Sequence, residues 1–411
     1  MIQLPDLNAF DISPTLGFLS DHRPLPSFSN PHFAQLDELA ADLSNLITNG
    51  SLRPTINSLP YLDSIQLSSE QEYKRAYVVL GFLIHAYVWG GTTDSGPLET
   101  IPPQLAEPYL AVCDKLGTEP VLSYAGLCLW NWASNSTATS SPGGFYELED
   151  LQPVGCFTGT RGEAAFHHVP ILIEAEGGPL IPLLLDAVAA IERDDGDQIT
   201  RALIKSTAII ERMKKHLPKL YTKLEADMFY HTLRPFLAGG KGMEDKGLPR
   251  GFVFQRRDGS EKEVQCIGGS AAQSSLFQFL DIVLGVQHEP TAGNKETLFE
   301  TMRPYMPGKH REFLRTVSTL PSIRPFVEQN ASNSALHNAY NECISQLRSW
   351  RGSHIAVVSK YVVRPARSAL GVSGGATTDN LEDEKDDSLT GTGGSALIPF
   401  LRQSKDETAG L

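Results

Sequence analysis

Apolar side chains recur at helical spacing along most of this 411-residue chain, whereas the alternation typical of strands is scarce. Two of the helical stretches end in stop signals, an Asn-Gly pair at 49–50 and a Gly-Gly pair at 90–91. Only residues 251–266 suggest a short hairpin. The pattern predicts an all-α protein, and its clearest helical segments are residues 30–50, 68–91, 270–286, 296–305, 309–319 and 334–363.

Two polar stretches suggest how the helices are organised. Residues 134–145 are rich in Ser and Thr and close with Pro and Gly, so we place a boundary there between a small helical domain, 1–145, and a larger one, 146–411. Residues 366–394 are rich in Gly, Ser and Thr and carry an acidic run at 381–387. This composition predicts a mobile loop, of the kind that can order over a bound ligand.

Composition excludes several classes of protein. The formal net charge of −13 disfavours binding to nucleic acid or to an anionic membrane. The five cysteines are widely spaced and form no CxxC pair, which argues against disulfides and a structural zinc site. No secretory signal is evident, and the longest apolar stretch is interrupted by Pro182 and Asp186. We therefore expect a cytoplasmic protein that does not enter a membrane.

The common catalytic motifs are absent, which leaves isolated histidines on helices as the candidates. There is no HExxH, GxSxG, Walker loop or GxGxxG motif after a strand. In the last long helix, His354 shares one face with Leu347, Trp350, Val357, Val358 and Tyr361. A histidine in such an apolar stripe suits the axial ligand of a haem, which needs one imidazole and a dry surface. The alternative is a core histidine bonded to a backbone carbonyl.

Three further segments carry candidate residues, each with an ordinary alternative. Arg234 follows Phe229 on a predicted helix and can pair with a substrate carboxylate, or it can form an ordinary salt bridge. Gly269 and Ser270 precede a helix and suit an anion, although such sequences also form tight turns. The adjacent histidines 167–168 point about 100° apart on a helix, so they cannot easily share one metal, and we expect one or both to be polar and exposed.

Seven segments in order resemble the indoleamine 2,3-dioxygenase family, in a form like those of fungi. The most specific are GGSAAQSSLFQFLD and HIAVVSKYVV. Together the segments reach across most of the chain: they are PVLSYAGLCLWNW (120–132), FHHVPILIEAE (166–176), LRPFLAGGKG (233–242), GGSAAQSSLFQFLDIVLGVQH (268–288), MRPYMPGKHREFL (302–314), HIAVVSKYVVRPA (354–366) and GTGGSALIPFL (391–401).

The resemblance implies a haem b enzyme that opens the indole ring of L-tryptophan. The family adds both atoms of O2 across the indole C2–C3 bond and yields N-formylkynurenine, which enters the kynurenine pathway of tryptophan catabolism and NAD biosynthesis. It implies a monomer in which the haem lies between the two helical domains. It also makes His354 the proximal ligand of the haem iron.

The resemblance further assigns residues to the substrate and to the cofactor. Arg234 would bind the substrate carboxylate, and Thr392 would belong to the loop that closes over the substrate. The remaining substrate positions would be Tyr124, Leu127, Cys128, Phe166, Pro170, Phe229, Leu237 and Ala271. The cofactor positions would be Gly269, Ser270, Ala271, His354 and, near a propionate, Arg348 or Arg351.

Two prolines depart from the family pattern. Pro170 stands where members commonly have serine, so it supplies neither a hydroxyl nor an N–H. Pro235 follows Arg234 directly and alters the angle at which that side chain enters the site. We expect both to affect substrate affinity and turnover more than haem binding.

Two other functions remain open from the sequence. One is a low-activity paralogue that acts mainly as a haem-binding or gas-sensing protein. The other is a helical interaction protein without a cofactor, supported only by the acidic run and the net charge.

Overall fold

A computed structural model describes residues 2–62, 67–91, 96–134, 148–290, 295–369 and 397–411. It confirms a predominantly helical protein. The α-helices of these ranges are α1 (Pro31–Ala41), α2 (Leu43–Thr48), α3 (Leu52–Asn57), α4 (Glu70–Trp89), α5 (Pro103–Leu116), α6 (Arg161–Gly177), α7 (Leu180–Ile191), α8 (Gly196–Lys214), α9 (Lys219–Lys223), α10 (Ser275–Leu284), α11 (Leu298–Met302), α12 (Gly308–Val317), α13 (Ile323–Gln329), α14 (Ser334–Val358), α15 (Arg364–Ala369) and α16 (Leu397–Glu407).

Helix α4 forms the centre of the N-terminal part. The Ser69 side chain accepts a hydrogen bond from the Glu72 amide and so caps the helix at its start. From Ala76 to Val88 every side chain is buried, which is the pattern of a core helix rather than an amphipathic surface helix. The predicted helix over 68–91 is therefore confirmed.

Short strands join distant parts of the chain. The predicted hairpin is present as β4 (Phe252–Gln255) and β5 (Glu261–Val264), an antiparallel pair in which Phe252 lies opposite Val264. Strand β1 (Thr100–Ile101) pairs in parallel with β4. Strands β2 (Ala133–Ser134) and β3 (Leu151–Gln152) form a second, antiparallel pair. Because β1 and β4 share a sheet, segments from both halves of the chain pack together there.

Helix α14 supports the C-terminal part and packs against α8 and α16. Asn333 caps it by accepting a hydrogen bond from the Leu336 amide. The predicted helix over 334–363 changes its winding after Val358 and continues as a π-helical turn, Ser359–Val363. Pro365 follows this turn. It has no N–H to donate to a carbonyl one turn earlier, which disfavours regular α-helix here.

The described residues contain two other π-helical turns, at Ala125–Leu129 and Met228–Leu233. The second runs into a 3₁₀ turn where Pro235 again removes an N–H. Such turns are common at functional sites because they re-aim side chains. The 3₁₀ turns are Leu7–Phe10, Leu148–Asp150, Arg234–Leu237, Glu244–Lys246, Ala271–Gln273 and Arg303–Tyr305.

The predicted domain boundary at 145/146 lies outside the described residues and stays a prediction. The same holds for most of the predicted loop at 366–394, of which only 366–369 are described, as the end of α15. Among the described helices, none combines the length and apolar character needed to cross a bilayer.

Candidate functional site

A cavity of about 270 Å³ lies between α6, α14 and α16, and all three π-helical turns contribute side chains to its wall. Most of its lining is apolar. The predicted site residues that line it are Tyr124, Leu127, Cys128, Phe166, Pro170, Phe229, Arg234, Leu237, Gly269, Ser270, Ala271, Arg351 and His354. Residues more than 200 positions apart in the chain thus meet around one space.

His354 projects from α14, and the part of its side chain that is not buried faces the cavity. Burial lowers the pKa of His354 to about 4, so the imidazole is neutral near pH 7. Its ring nitrogens form no hydrogen bond with any residue in the part of the chain that the structure describes. The alternative, in which His354 is a core histidine bonded to a backbone carbonyl, is therefore not observed. A neutral imidazole without a hydrogen-bond partner retains a lone pair that can bind a metal.

Two aromatic rings hold His354 in place. The Trp350 ring lies parallel to the imidazole, with 5.6 Å between centroids, and the Phe277 ring stacks on Trp350 with 3.9 Å between centroids. Both Trp350 and Phe277 line the cavity. The buried Trp350 indole nitrogen has no hydrogen-bond partner within the described ranges. The stack restricts the orientation of the His354 ring and places the unpaired Trp350 N–H close to it.

An aromatic wall is formed by α6 and two of the π-helical turns. The ring centroids of Phe166 and Phe229 are 5.1 Å apart, and those of Phe229 and Tyr361 are 5.9 Å apart. The Tyr361 hydroxyl lies 3.0 Å from the Leu220 carbonyl oxygen, which ties this wall to α9. Flat apolar surfaces of this kind suit an aromatic ligand.

Arg234 brings positive charge into this apolar surrounding. It is half-buried, and its guanidinium lies 5.4 Å from the centroid of the Tyr230 ring. Burial lowers its pKa from the ordinary value, yet an arginine remains protonated near neutral pH. A guanidinium in a cavity is a natural partner for a ligand carboxylate.

The segment 268–274 forms the edge of the cavity and is tightly packed. A Cβ on Gly269 would lie 2.2 Å from Leu127 Cδ1, and one on Gly268 would lie 1.9 Å from the Leu237 carbonyl oxygen. The glycines are therefore required by contacts within the protein itself. The Ser270 hydroxyl accepts a hydrogen bond from the Ala272 amide in a capping box, which leaves its O–H available to donate.

The two candidate arginines are placed differently. Arg351 is buried, lines the cavity, and donates to both carboxylate oxygens of Asp281 at 2.7 Å. Arg348 lies outside the lining, where it pairs with Asp406 at 3.1 Å and is 48% exposed. Of the two, only Arg351 is positioned to contact a group in the cavity.

A buried carboxylate behind the lining was not predicted from the sequence. Glu174 Oε1 accepts hydrogen bonds from the Tyr124 hydroxyl at 2.9 Å and from the Ser274 hydroxyl at 2.6 Å. Glu174 Oε2 has no partner among the described residues. Burial raises the pKa of Glu174 to about 7, although the two hydrogen bonds act in the opposite direction.

The expectation for His167 and His168 was wrong, because both are buried. They lie on α6 where it faces the interior, and His167 Nε2 is 3.4 Å from Glu163 Oε1. Glu163 also accepts hydrogen bonds from the amides of Phe157 and Thr158 at 2.6 Å. The contact between His167 and Glu163 thus helps to anchor the start of α6. Within the described residues, no three His, Cys, Asp or Glu side chains converge as a metal site would require.

A sequence profile of the indoleamine 2,3-dioxygenase family matches residues 6–410. The chain belongs to this family. It is 37% identical to an indoleamine 2,3-dioxygenase of Saccharomyces cerevisiae, over 99% of this chain and 94% of the relative. It is 35% identical to one of Aspergillus candidus, over 97% and 95%, and 35% identical to a 6-hydroxytryptophan 2,3-dioxygenase of Fusarium equiseti, over 98% and 97%.

Several lining residues of this family member were not assigned in advance. The helical stripe of His354 indicated Trp350, Val357, Val358 and Tyr361 as neighbours, but nothing local marks the others. Thr392, predicted for the closing loop, lies outside the described residues. The unassigned part of the lining is Val169, Ile173, Leu217, Leu220, Leu224, Ala272, Ser274, Phe277, Leu298, Phe299, Met302, Val362, Phe400, Leu401 and Ser404.

Proposed function

We propose that this chain is a haem-dependent dioxygenase that cleaves the indole C2–C3 bond of L-tryptophan to give N-formylkynurenine. The observation that carries the proposal is His354, a neutral imidazole that faces an apolar cavity and has no hydrogen-bond partner among the described residues. Membership in the indoleamine 2,3-dioxygenase family supports the interpretation of this histidine as a haem ligand.

The residues around the cavity fit a haem b. His354 would bind the haem iron, and Trp350 and Val357, which line the same cavity, would pack beside the haem. The Ser270 hydroxyl and the unpartnered Trp350 N–H are donors suited to the propionates, and Arg351, although paired with Asp281, lines the same cavity. When bound, the haem iron supplies the redox chemistry that allows O2 to react with the indole.

The protein's own side chains orient the substrate and keep water out. Arg234 would pair with the tryptophan carboxylate, and Phe166 and Phe229, whose rings contact each other, would pack against one side of the indole. Tyr124 and Cys128 would complete the pocket. Both oxygen atoms remain in the product, so no residue has to act as a general base.

Pro170 lines the same cavity in the middle of α6. It offers a ring and no hydrogen-bond donor, so contact with the ligand at this position is apolar.

The alternative of a low-activity haem-binding or gas-sensing paralogue has less support, since the curated relatives above all carry the names of dioxygenases. We expect the protein to act as a cytoplasmic monomer.

The test is product formation by the haem-reconstituted protein. Under reducing conditions with L-tryptophan and O2, wild type is expected to form N-formylkynurenine, whereas His354→Ala is not. His337→Ala is the matched control, because His337 lies on the same helix and outside the cavity lining. Haem binding without product would favour the sensor. 6-Hydroxytryptophan should be assayed in parallel, since one relative is named for that substrate.

A further inference from the structure

Glu174 stands behind the cavity lining, in contact with two residues that belong to it. Its Oε1 receives the hydroxyl hydrogen bonds of Tyr124 and Ser274, and both of those side chains line the cavity. The residue as a whole is 1% exposed. One carboxylate oxygen therefore joins the π-helical turn of Tyr124 to the start of α10.

A second link fixes the same two segments. Gln273 Oε1 accepts hydrogen bonds from the backbone amides of Tyr124 at 2.9 Å and Ser270 at 3.3 Å, while Gln273 Nε2 donates to the Gly268 carbonyl at 2.9 Å. The cavity edge 268–274 and Tyr124 are thus held together from two sides. Only the Glu174 link can change its charge.

We propose that Glu174 is a positioning residue for Tyr124 and Ser274, and that it takes up a proton when an acidic ligand fills the cavity. The second part rests on the proposed function, because it takes the ligand to be a haem with its propionates. Entry of such a ligand removes water and adds negative charge near a buried carboxylate. Both effects favour the neutral acid.

The surroundings of Glu174 supply little that would keep it ionised. Tyr124 and Cys128 face it from the π-helical turn, and Ser274 faces it from the head of α10. The Arg212 guanidinium of α8 and the His216 ring in the segment after it lie against Glu176 instead. Glu174 Oε2, which has no partner within the described residues, is where the proton would reside.

Because ligand binding and protonation of Glu174 are linked, the affinity for the ligand must depend on pH. If the ligand favours the protonated acid, the protonated protein must bind the ligand more tightly. With a midpoint near pH 7 in the ligand-free protein, affinity for haem should fall by up to about tenfold between pH 6 and pH 8. His354 is already neutral across this range and does not contribute to it.

The experiment measures haemin affinity from the Soret band at pH 6 and pH 8. Wild type and Glu176→Gln, the control on the same helix, should weaken about tenfold more than Glu174→Gln, in which the group cannot ionise. Equal weakening in all three proteins would overturn the coupling. A protein without a Soret band at either pH would overturn the proposed function, and the coupling with it.

The positioning role is tested by conservative rescue at pH 6. Glu174→Gln retains an oxygen that accepts from both hydroxyls, so its haemin affinity should stay within about twofold of wild type. Glu174→Ala leaves both buried hydroxyls without an acceptor and should bind at least about tenfold more weakly. Equal affinities for the Gln and Ala variants would overturn the positioning role while leaving the proposed function intact.

Discussion

The ion pair between Arg351 and Asp281 makes the sharpest prediction about stability. Arg351 Nη2 donates to both carboxylate oxygens of Asp281 at 2.7 Å, and the side chains are only 7% and 6% exposed. Burial alone would raise the pKa of Asp281, but the charges of Arg351 and His288 outweigh this effect and lower it. Asp281→Ala would leave a buried guanidinium without its counter-charge, at a cost of about 3–5 kcal/mol.

The loss of stability in Asp281→Ala should be greatest in α16, the C-terminal helix. Arg351 also donates to the Ser404 carbonyl and to the Thr408 hydroxyl, and His288 joins Asp281 to Glu407. Urea unfolding of the cofactor-free protein measures the global cost. Hydrogen exchange of residues 397–411 measures whether α16 loosens first, as the local contacts predict.

Two comparisons make the reasoning refutable. Glu312→Ala removes the exposed pair with Arg315 on α12 and should leave the urea midpoint unchanged. Asp281→Leu combined with Arg351→Met removes both charges and should recover stability relative to Asp281→Ala. If Asp281→Ala unfolds at the same urea concentration as Glu312→Ala, the pair is not the anchor described here.

Three further outcomes are expected. The raised pKa of Glu174 means that stability is lost as pH rises from about 4.5, its unfolded value, through about 7. Between pH 5 and pH 8, urea unfolding should therefore show wild type losing about 2.5 kcal/mol relative to Glu174→Gln, and parallel stability curves for the two proteins would contradict this. Arg234→Leu should weaken tryptophan binding about tenfold or more in a spectral titration, with unchanged haem content. Gly269→Ala should lower the free energy of unfolding by about 1–3 kcal/mol, because the new Cβ would overlap Leu127. The control is Gly352→Ala, which should not lower it, because the new Cβ would meet only Lys405, at 3.7 Å. Equal urea midpoints for the two variants would refute the packing argument.

Helical periodicity was sufficient to predict α14 and the apolar face that contains His354. The period of 3.6 residues places Trp350 and His354 one above the other, and the structure shows them stacked. The same pattern could not show that the winding changes at Ser359, since a π-helical turn depends on a local loss of hydrogen bonds and on Pro365. Periodicity therefore predicted the element and missed its end.

Residues whose role depends on tertiary packing were beyond local reasoning. Glu174 and Glu176 stand two positions apart in the same sequence segment, yet one is buried against Tyr124 and the other pairs with Arg212 near the surface. His167 and His168 were expected to be exposed because adjacent histidines are polar. They are buried because α6 is covered on several sides.

The ferrous–CO spectrum, with and without L-tryptophan, tests the central claim most directly. If His354 binds the haem iron, wild type and His337→Ala should show the same sharp Soret band, and tryptophan should shift it in both. His354→Ala should lose that band. A band that persists unchanged in His354→Ala, or that does not respond to tryptophan in wild type, would contradict the assignment of this cavity.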